Sequence, residues 1–208
     1  IIVVGGIYSG IFTPTEGAAV GAAAMLAVGI LKRSLSWSGF VQALIQTAET
    51  SALIFLILLG AEVFNAFLAF SQLPATAAQW ITDAEWPPYV VLVVLLAFYH
   101  VLGAVMDELA MILLTLPVFF PIVVALDFGI PSHEVAIWFG ILVLIVVGIG
   151  LTAPPIGLNV FVISAIARHV PLVETYKGVL PFLAADLVRL ALCVAVPGLS
   201  LWLVRALA

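Results

Sequence analysis

The sequence predicts an all-α polytopic membrane protein that contains a re-entrant helical hairpin and an unwound transmembrane helix. Hydrophobic residues make up 65% of the chain and charged residues 8%, with a mean hydropathy of +1.36. Soluble domains carry roughly 25% charge, so a water-soluble fold would lack the polar surface to cover itself. Two interruptions then break the apolar helices. One is Gly103-Ala104-Val105-Met106-Asp107-Glu108; the other runs Gly148-Ile149-Gly150-Leu151-Thr152-Ala153-Pro154-Pro155-Ile156-Gly157-Leu158-Asn159. Irregular backbone at membrane depth survives only inside protein or beside a polar cavity, because unpaired amides and carbonyls are costly in hydrocarbon. Such paired interruptions point to the ion and substrate site of a secondary transporter.

The same composition excludes other classes. A net charge of −5 gives no basic footprint for nucleic acid. One cysteine, Cys193, supports neither a disulfide framework nor a Cys-rich metal site and reads as an apolar packing residue. The opening Ile1-Ile2-Val3-Val4-Gly5-Gly6 lacks a charged n-region and does not resemble a signal peptide. It reads as a cut through a transmembrane helix, so the expectation is the C-terminal part of a longer membrane protein.

Taken in order, the first apolar segment runs from about Ile1 to Leu31 and stops at Lys32-Arg33. Within it, Thr13-Pro14-Thr15-Glu16 spells a capping box with proline at the first helical position, a helix start. A connector with Ser34, Ser36, Trp37, Ser38 and Gly39 follows, its tryptophan suited to the headgroup level. A second span covers about Leu44 to Phe70, and the polar stretch Ser71 to Pro88 reads as a surface helix and turn. The arms Tyr89–Leu102 and Leu109–Leu126 flank the first break. Both are short against the roughly 20 residues a crossing needs, which predicts a hairpin that enters and leaves on one side. After the turn Asp127–Glu134, a broken element runs from about Val135 to Ala167. Arg168 and Lys177 flank the next loop, and a last span covers about Gly178 to Val204.

Basic residues orient these elements. Lys32 and Arg33 lie in one loop and Arg168 and Lys177 in another, while Ser71–Pro88 and Asp127–Glu134 hold acids without Lys or Arg. With a hairpin at Asp107, both basic loops share one face and both acidic loops the other. Two full crossings there would break that agreement. Positive-inside therefore favours the hairpin and a cytoplasmic place for the basic loops.

Each break carries its own chemistry. Gly103 relaxes the tip, and Asp107 and Glu108 open the second arm, where acids cap free amides or serve directly as ion ligands. Capping alone does not explain two acids in lipid, where each charge costs ~3 kcal/mol or more. Pro154 and Pro155 remove two amide donors and free the carbonyls they would have bonded. With the Thr152 hydroxyl, such carbonyls are hard oxygen ligands for sodium. Gly157 and Asn159 start the following half-helix, whose N-terminus favours an anion. A proline kink that only shapes packing is the competing account. The candidate sodium ligands are Gly103, Met106, Gly148, Gly150 and Thr152. The candidate substrate-binding residues are Asp107, Pro154, Pro155, Gly157 and Asn159.

Other polar residues are weaker pointers. Gln42, Gln46 and Glu49 form one stripe that reads as a subunit or interfacial face. Glu62 and Asn65 approach the outer surface. Asp186 and Arg189 can neutralise each other. His100 reads as a helix-end histidine or a proton relay.

Together these residues resemble the large membrane (M-type) subunit of the tripartite ATP-independent periplasmic (TRAP) transporters. The resemblance rests on Gly6-Ile7-Tyr8-Ser9-Gly10-Ile11-Phe12-Thr13-Pro14-Thr15-Glu16, on Met106-Asp107 with Pro117 and Pro121, and on Pro154-Pro155-Ile156-Gly157-Leu158-Asn159. It implies the C-terminal half of that subunit, the second of two inverted repeats of an elevator-type transporter. The organisation it implies places scaffold-type helices in residues 1–88 and a transport-type region in 89–167, with the hairpin at 89–126 and the broken helix at 135–167. Residues 168–208 form a C-terminal loop and helix. It further implies sodium-coupled uptake of a small organic acid (dicarboxylate, sialic acid or sugar acid) and no cofactor beyond Na+ as coupling ion. The implied partners are a small membrane subunit and a periplasmic binding protein, in the bacterial inner membrane. Two positions depart from the family's pattern: Ala153 precedes the prolines where a threonine is usual, and Gly17 opens the alanine-rich run.

An intramembrane enzyme would need a nucleophile with its base or a metal cluster. Neither His-Glu-x-x-His nor Gly-x-Ser-x-Gly occurs. A channel or purely structural subunit would predict continuous spans rather than two unwound turns.

Overall fold

The structure is a computed structural model that describes residues 2–153, 157–167 and 170–207. Among them are ten α-helices and two compact units, 1–54 and 55–208. In the first unit, α1 (Ile2–Tyr8) and α2 (Pro14–Leu31) meet at the expected break, and α3 (Trp37–Ser71) begins. Thr13 caps α2: its Oγ1 accepts from the Glu16 amide at 3.4 Å, while Glu16 Oε2 accepts from the Thr13 amide at 2.8 Å. Phe12 folds back over Gly6, and Ile7 packs against Gly17.

The second unit takes the rest of α3 and the helices α4 (Leu73–Asp83), α5 (Pro88–Gly103), α6 (Glu108–Ala125) and α7 (Ser132–Thr152). It continues with α8 (Leu158–Ile166), α9 (Leu172–Ala195) and α10 (Pro197–Leu207). Five helices, α2, α3, α6, α7 and α9, are long and apolar enough to cross a bilayer. Half of the α7 span is buried inside the protein, against 6–17% for the other four. α7 is therefore the axis of its unit, and the other four leave most of their apolar surface uncovered.

Aromatic contacts fix how the helices run. Tyr89 at the start of α5, Phe128 between α6 and α7, and Trp138 near the start of α7 meet at centroid distances of 5.2–6.5 Å. The beginning of α5, the end of α6 and the beginning of α7 thus lie together, so α5 and α7 run alike and α6 runs back against both. Further along, Tyr99 on α5 stands edge-on to Phe119 on α6 and Phe139 on α7, at 5.3 and 6.3 Å. α5 has 16 residues, which reach about 24 Å at 1.5 Å per residue. That falls short of the ~30 Å hydrocarbon core. A surface helix was expected before the hairpin, and α4 occupies that position, its Ala77, Ala78 and Ile81 packed on the core.

Three expectations need correction. Trp37 begins α3 instead of lying in a connector, because Ser36 Oγ accepts the Gly39 amide at 3.0 Å and starts the helix there. The single last span at 178–204 is two helices, α9 and α10, divided at Val196. Pro197 has no N–H for the Cys193 carbonyl, and the buried Trp138 indole donates to that carbonyl instead, at 2.7 Å. Lys177, placed in a loop by sequence, lies inside α9 and pairs with Glu174 at 2.8 Å. The expected Asp186–Arg189 pair is present at 3.0 Å.

Candidate functional site

The end of α5 meets the last turns of α7 through backbone alone. A Cβ on Gly150 would stand 2.9 Å from the Cα and carbonyl carbon of Gly103 and from the His100 oxygen. α7 tolerates no side chain at Gly150, whereas a Cβ on Gly103 would stand 3.4 Å from the Gly150 Cα and the Val147 oxygen, in ordinary contact. Gly103 and Gly150, far apart in sequence, are brought together.

The tip that follows is short. The Met106 amide bonds the Leu102 carbonyl at 2.8 Å. Asp107 then caps α6, its Oδ1 accepting from the Leu109 and Ala110 amides at 3.0 and 3.4 Å. Its capping role is thereby explained, and its second carboxylate oxygen remains open to another partner.

Unwinding of α7 starts later than the sequence suggests. Gly148, Gly150 and Thr152 are all helical, and the first extended residue is Ala153 (φ −81°, ψ 147°). Helix arithmetic accounts for this: prolines at 154 and 155 remove donors only from the carbonyls of Gly150 and Leu151, so the ladder holds up to there. The Ala153 amide still bonds Ile149 at 2.8 Å. Gly148 faces away from the crossing, with nothing within 4 Å of an added Cβ. The Thr152 hydroxyl donates back into its own helix, 3.0 Å from the Ile149 oxygen and 3.2 Å from that of Gly148. Its lone pairs are uncommitted by that bond.

Beyond the break, Gly157 is the N-cap of α8 with φ +57°, a left-handed conformation that glycine adopts without strain. A Cβ there would also lie 3.1 Å from the Thr152 and Ala153 oxygens. Asn159 is exposed in the first turn of α8. Pro154 and Pro155 lie outside the described residues, as does Arg168.

The structure thus gathers Gly103 and Gly150 into one contact, with Met106 and Asp107 in the adjoining tip. Thr152 and Gly157 meet across the second break, and Gly148 stands apart. His100 lines a cavity of about 450 Å³ between α5, α7 and α9 whose other lining residues are all apolar, among them Leu96, Val146 and Leu190. That lining suits neither a small cation nor an anion. Among the described residues there is no cluster of His, Cys, Asp and Glu fit to hold a metal. Sequence reasoning missed the packing of Tyr99 on α5 against Phe119 on α6, across the hairpin arms. It also missed the Trp138 bond. Both depend on contacts between distant segments.

Residues 1–199 match the family described as "Tripartite ATP-independent periplasmic transporter, DctM component". The chain is 36% identical over 203 residues to the C4-dicarboxylate TRAP transporter large permease protein DctM of Pseudomonas aeruginosa, covering 97% of this chain and 46% of that protein. Against the sialic acid TRAP transporter large permease protein SiaM of Vibrio cholerae it is 33% identical over 204 residues, 98% of this chain and 46% of the relative. Against the isethionate TRAP transporter permease protein DctMQ of Oleidesulfovibrio alaskensis it is 32% identical over 203 residues, 97% of this chain and 31% of the relative. The chain therefore spans about half the length, or less, of these curated relatives. No solved structure matches it. With its apolar helices, its interrupted α7 and its Thr-Pro-Thr-Glu cap, the chain is a multi-pass membrane protein that belongs to the DctM family of TRAP transporter large permeases.

Proposed function

We propose that the chain forms one half of a sodium-coupled permease that imports a small organic acid delivered by a periplasmic binding protein. A small membrane subunit completes the complex in the bacterial inner membrane. The carrying observation is the Gly103–Gly150 crossing, where the hairpin tip rests against the turn of α7 whose carbonyls have lost their donors. Oxygen ligands without a large charged side chain suit a monovalent cation held weakly enough to be released. The N-terminus of α8, beyond the break, favours an anionic group. Sodium and substrate can thus share one site. The three relatives described above are named for a dicarboxylate, sialic acid and isethionate. Selection among acids is then left largely to the binding protein.

In this reading residues 89–126 enter and leave the membrane from the periplasm, and 89–167 moves as the transport element against 1–88, with 168–208 closing the repeat. The shared end of α5, α6 and α7 supports a hairpin of that kind. Single cysteines at Asp83 and Arg168, in a Cys193→Ser background, should be labelled from opposite sides of the membrane. Labelling of both from one side rejects the hairpin topology.

The decisive experiment uses the full-length transporter with its partners in proteoliposomes. Uptake should require an inward sodium gradient and the binding protein. Gly103→Val should abolish it, and Asp107→Ala and Asn159→Ala should reduce transport far more than thermal stability. Thr152→Val should raise the half-saturating sodium concentration. Since that hydroxyl already bonds its own helix, an unchanged sodium dependence would leave a site of backbone carbonyls only. Unchanged dependence in both Gly103→Val and Thr152→Val rejects the site.

A further inference from the structure

Among the described residues, Lys177, Arg189 and Arg205 each pair with an acid, at 2.8, 3.0 and 2.6 Å. Lys32 and Arg33, just past the end of α2, do not, and both are exposed. The acids of their unit lie elsewhere. Glu16 is bound into the cap at the opposite end of α2, and Glu49 stands about three turns into α3. Two adjacent cations therefore have no counter-charge from the described residues around them.

The corner that carries them is tightly built. The Arg33 amide bonds the Ile30 carbonyl at 2.9 Å and the Ser34 amide bonds the Gly29 carbonyl at 3.0 Å. These are the paired bonds that close a helix through one left-handed residue. That residue is Arg33, at φ +52°, where glycine is the usual choice. The reversal folds Leu35 back onto α2, its Cβ 3.3 Å from where a Cβ on Gly29 would stand. Trp37 and Phe40 follow, with ring centroids 5.8 Å apart. Leu26, Ile30, Leu35, Trp37 and Phe40 line a groove of about 240 Å³, with Ser36. The Ser36 oxygen already accepts the Gly39 amide. Ile30 and Trp37 are 61% and 78% exposed, so the groove is open.

Depth relates the groove to the cations. The 18 residues of α2 reach about 27 Å at 1.5 Å per residue, close to the ~30 Å hydrocarbon core. Lys32 and Arg33 thus stand at headgroup level, and Leu26 and Ile30, which precede them on α2, lie on the hydrocarbon side.

We propose that this corner binds an anionic phospholipid, its phosphate at Lys32 and Arg33 and the first part of one acyl chain in the groove. A soluble anion would use the cations and leave the groove empty. An acidic protein segment would bring backbone amides and carbonyls against apolar walls, which is costly. An acyl chain brings neither. The proposal stands independently of the sodium reading.

The test uses the full-length transporter with its partner subunits, in nanodiscs of phosphatidylcholine with increasing phosphatidylglycerol. Native mass spectrometry then counts the phosphatidylglycerol retained on the protein. Lys32→Gln and Arg33→Gly should each weaken retention about fivefold and together about 25-fold, the worth of one and two cations near an anionic surface. Arg33→Gly should meanwhile keep or raise the melting temperature in lipid-free detergent, because glycine suits that backbone. Ile30→Trp, which fills the groove, should also weaken retention. Glycerol phosphate, the anion without chains, should not displace the lipid. Unchanged retention in the double variant or in Ile30→Trp overturns the site, and so does displacement by glycerol phosphate. A fall in melting temperature for Arg33→Gly without loss of lipid assigns the arginine to the fold and overturns it as well. Loss of the small membrane subunit from the double variant, with retention unchanged, assigns the cations to a protein contact instead.

Discussion

The break between α1 and α2 and the break after α7 use the same vocabulary of threonine, proline and glycine, but they dispose of their backbone groups differently. At the first, Thr13 and Glu16 satisfy each other's amides within four residues, and Pro14 stands at the helix start where no N–H is needed. At the second, the prolines follow the helix, so carbonyls of Gly150 and Leu151 lose their donors, and the threonine bonds back into its own turn. A proline before a helix costs nothing there; a proline after one leaves acceptors exposed. The first break is closed by its own side chains; at the second, no described side chain donates to the two freed carbonyls. A third break, at Val196–Pro197, lies between these cases: its freed carbonyl is met by Trp138, 55 residues away.

The largest expected effect strikes the second break. Gly150→Ala puts a methyl 2.9 Å from the Gly103 backbone and the His100 oxygen, and backbone cannot step aside as a side chain can. Overpacking of this kind should cost about 3 kcal/mol and abolish uptake. Gly148→Ala, two residues earlier with open space around it, should be neutral or slightly stabilising, since alanine favours helix by up to ~1 kcal/mol. Equal melting temperatures for the two variants in purified transporter would remove the basis for a backbone-only crossing.

Trp138→Phe comes next. It keeps a ring in a fully buried place but strands the Cys193 carbonyl, at a cost of about 2 kcal/mol. Pro197→Ala restores an amide at the position that carbonyl would normally meet. The double variant should therefore recover stability lost in the single one. Failure of that rescue would mean that the indole matters for its packing and not for the orphan carbonyl.

Local signals in the sequence reached far into this fold. The Thr13–Glu16 box, the Asp107 cap and the surface helix at 73–83 each depend on residues within a few positions, and each was readable from spacing. Pro197-Gly198 was an equally plain punctuation mark, obscured by its place in an otherwise continuous apolar run. The extra turn at the end of α7 was also within reach, because proline affects the carbonyl four residues back and not its own position. Beyond local reading lay the meeting of Gly103 with Gly150, of Tyr99 with Phe119, and of Trp138 with Cys193. In an apolar sequence every helix face is hydrophobic, so periodicity gives no clue to which face packs on which.

A smaller effect probes the self-contained break. Thr13→Ala removes the acceptor of the Glu16 amide and should lower stability by ~1 kcal/mol, while sodium half-saturation stays at its wild-type value. Thr13→Ser, which keeps the oxygen, should be close to wild type. A shift in sodium dependence with Thr13→Ala would show that this break, too, serves the ion, and the contrast with α7 would narrow.

The smallest effect belongs to the link between Glu134 and Arg205. The guanidinium grips the carboxylate with two bonds, Nε to Oε1 at 2.9 Å and Nη2 to Oε2 at 2.6 Å, tying the end of α10 to the start of α7. Such geometry is as good as an ion pair offers. Yet the arginine side chain is half exposed, and solvent and salt screen a pair placed there. α10 is also held by its fully buried Leu201 in the same core as Trp138. Arg205→Gln should therefore leave the melting temperature unchanged within error at high salt and lower it only slightly at low salt. A large, salt-independent loss would mean that the pair, and not the apolar contact of Leu201, anchors α10.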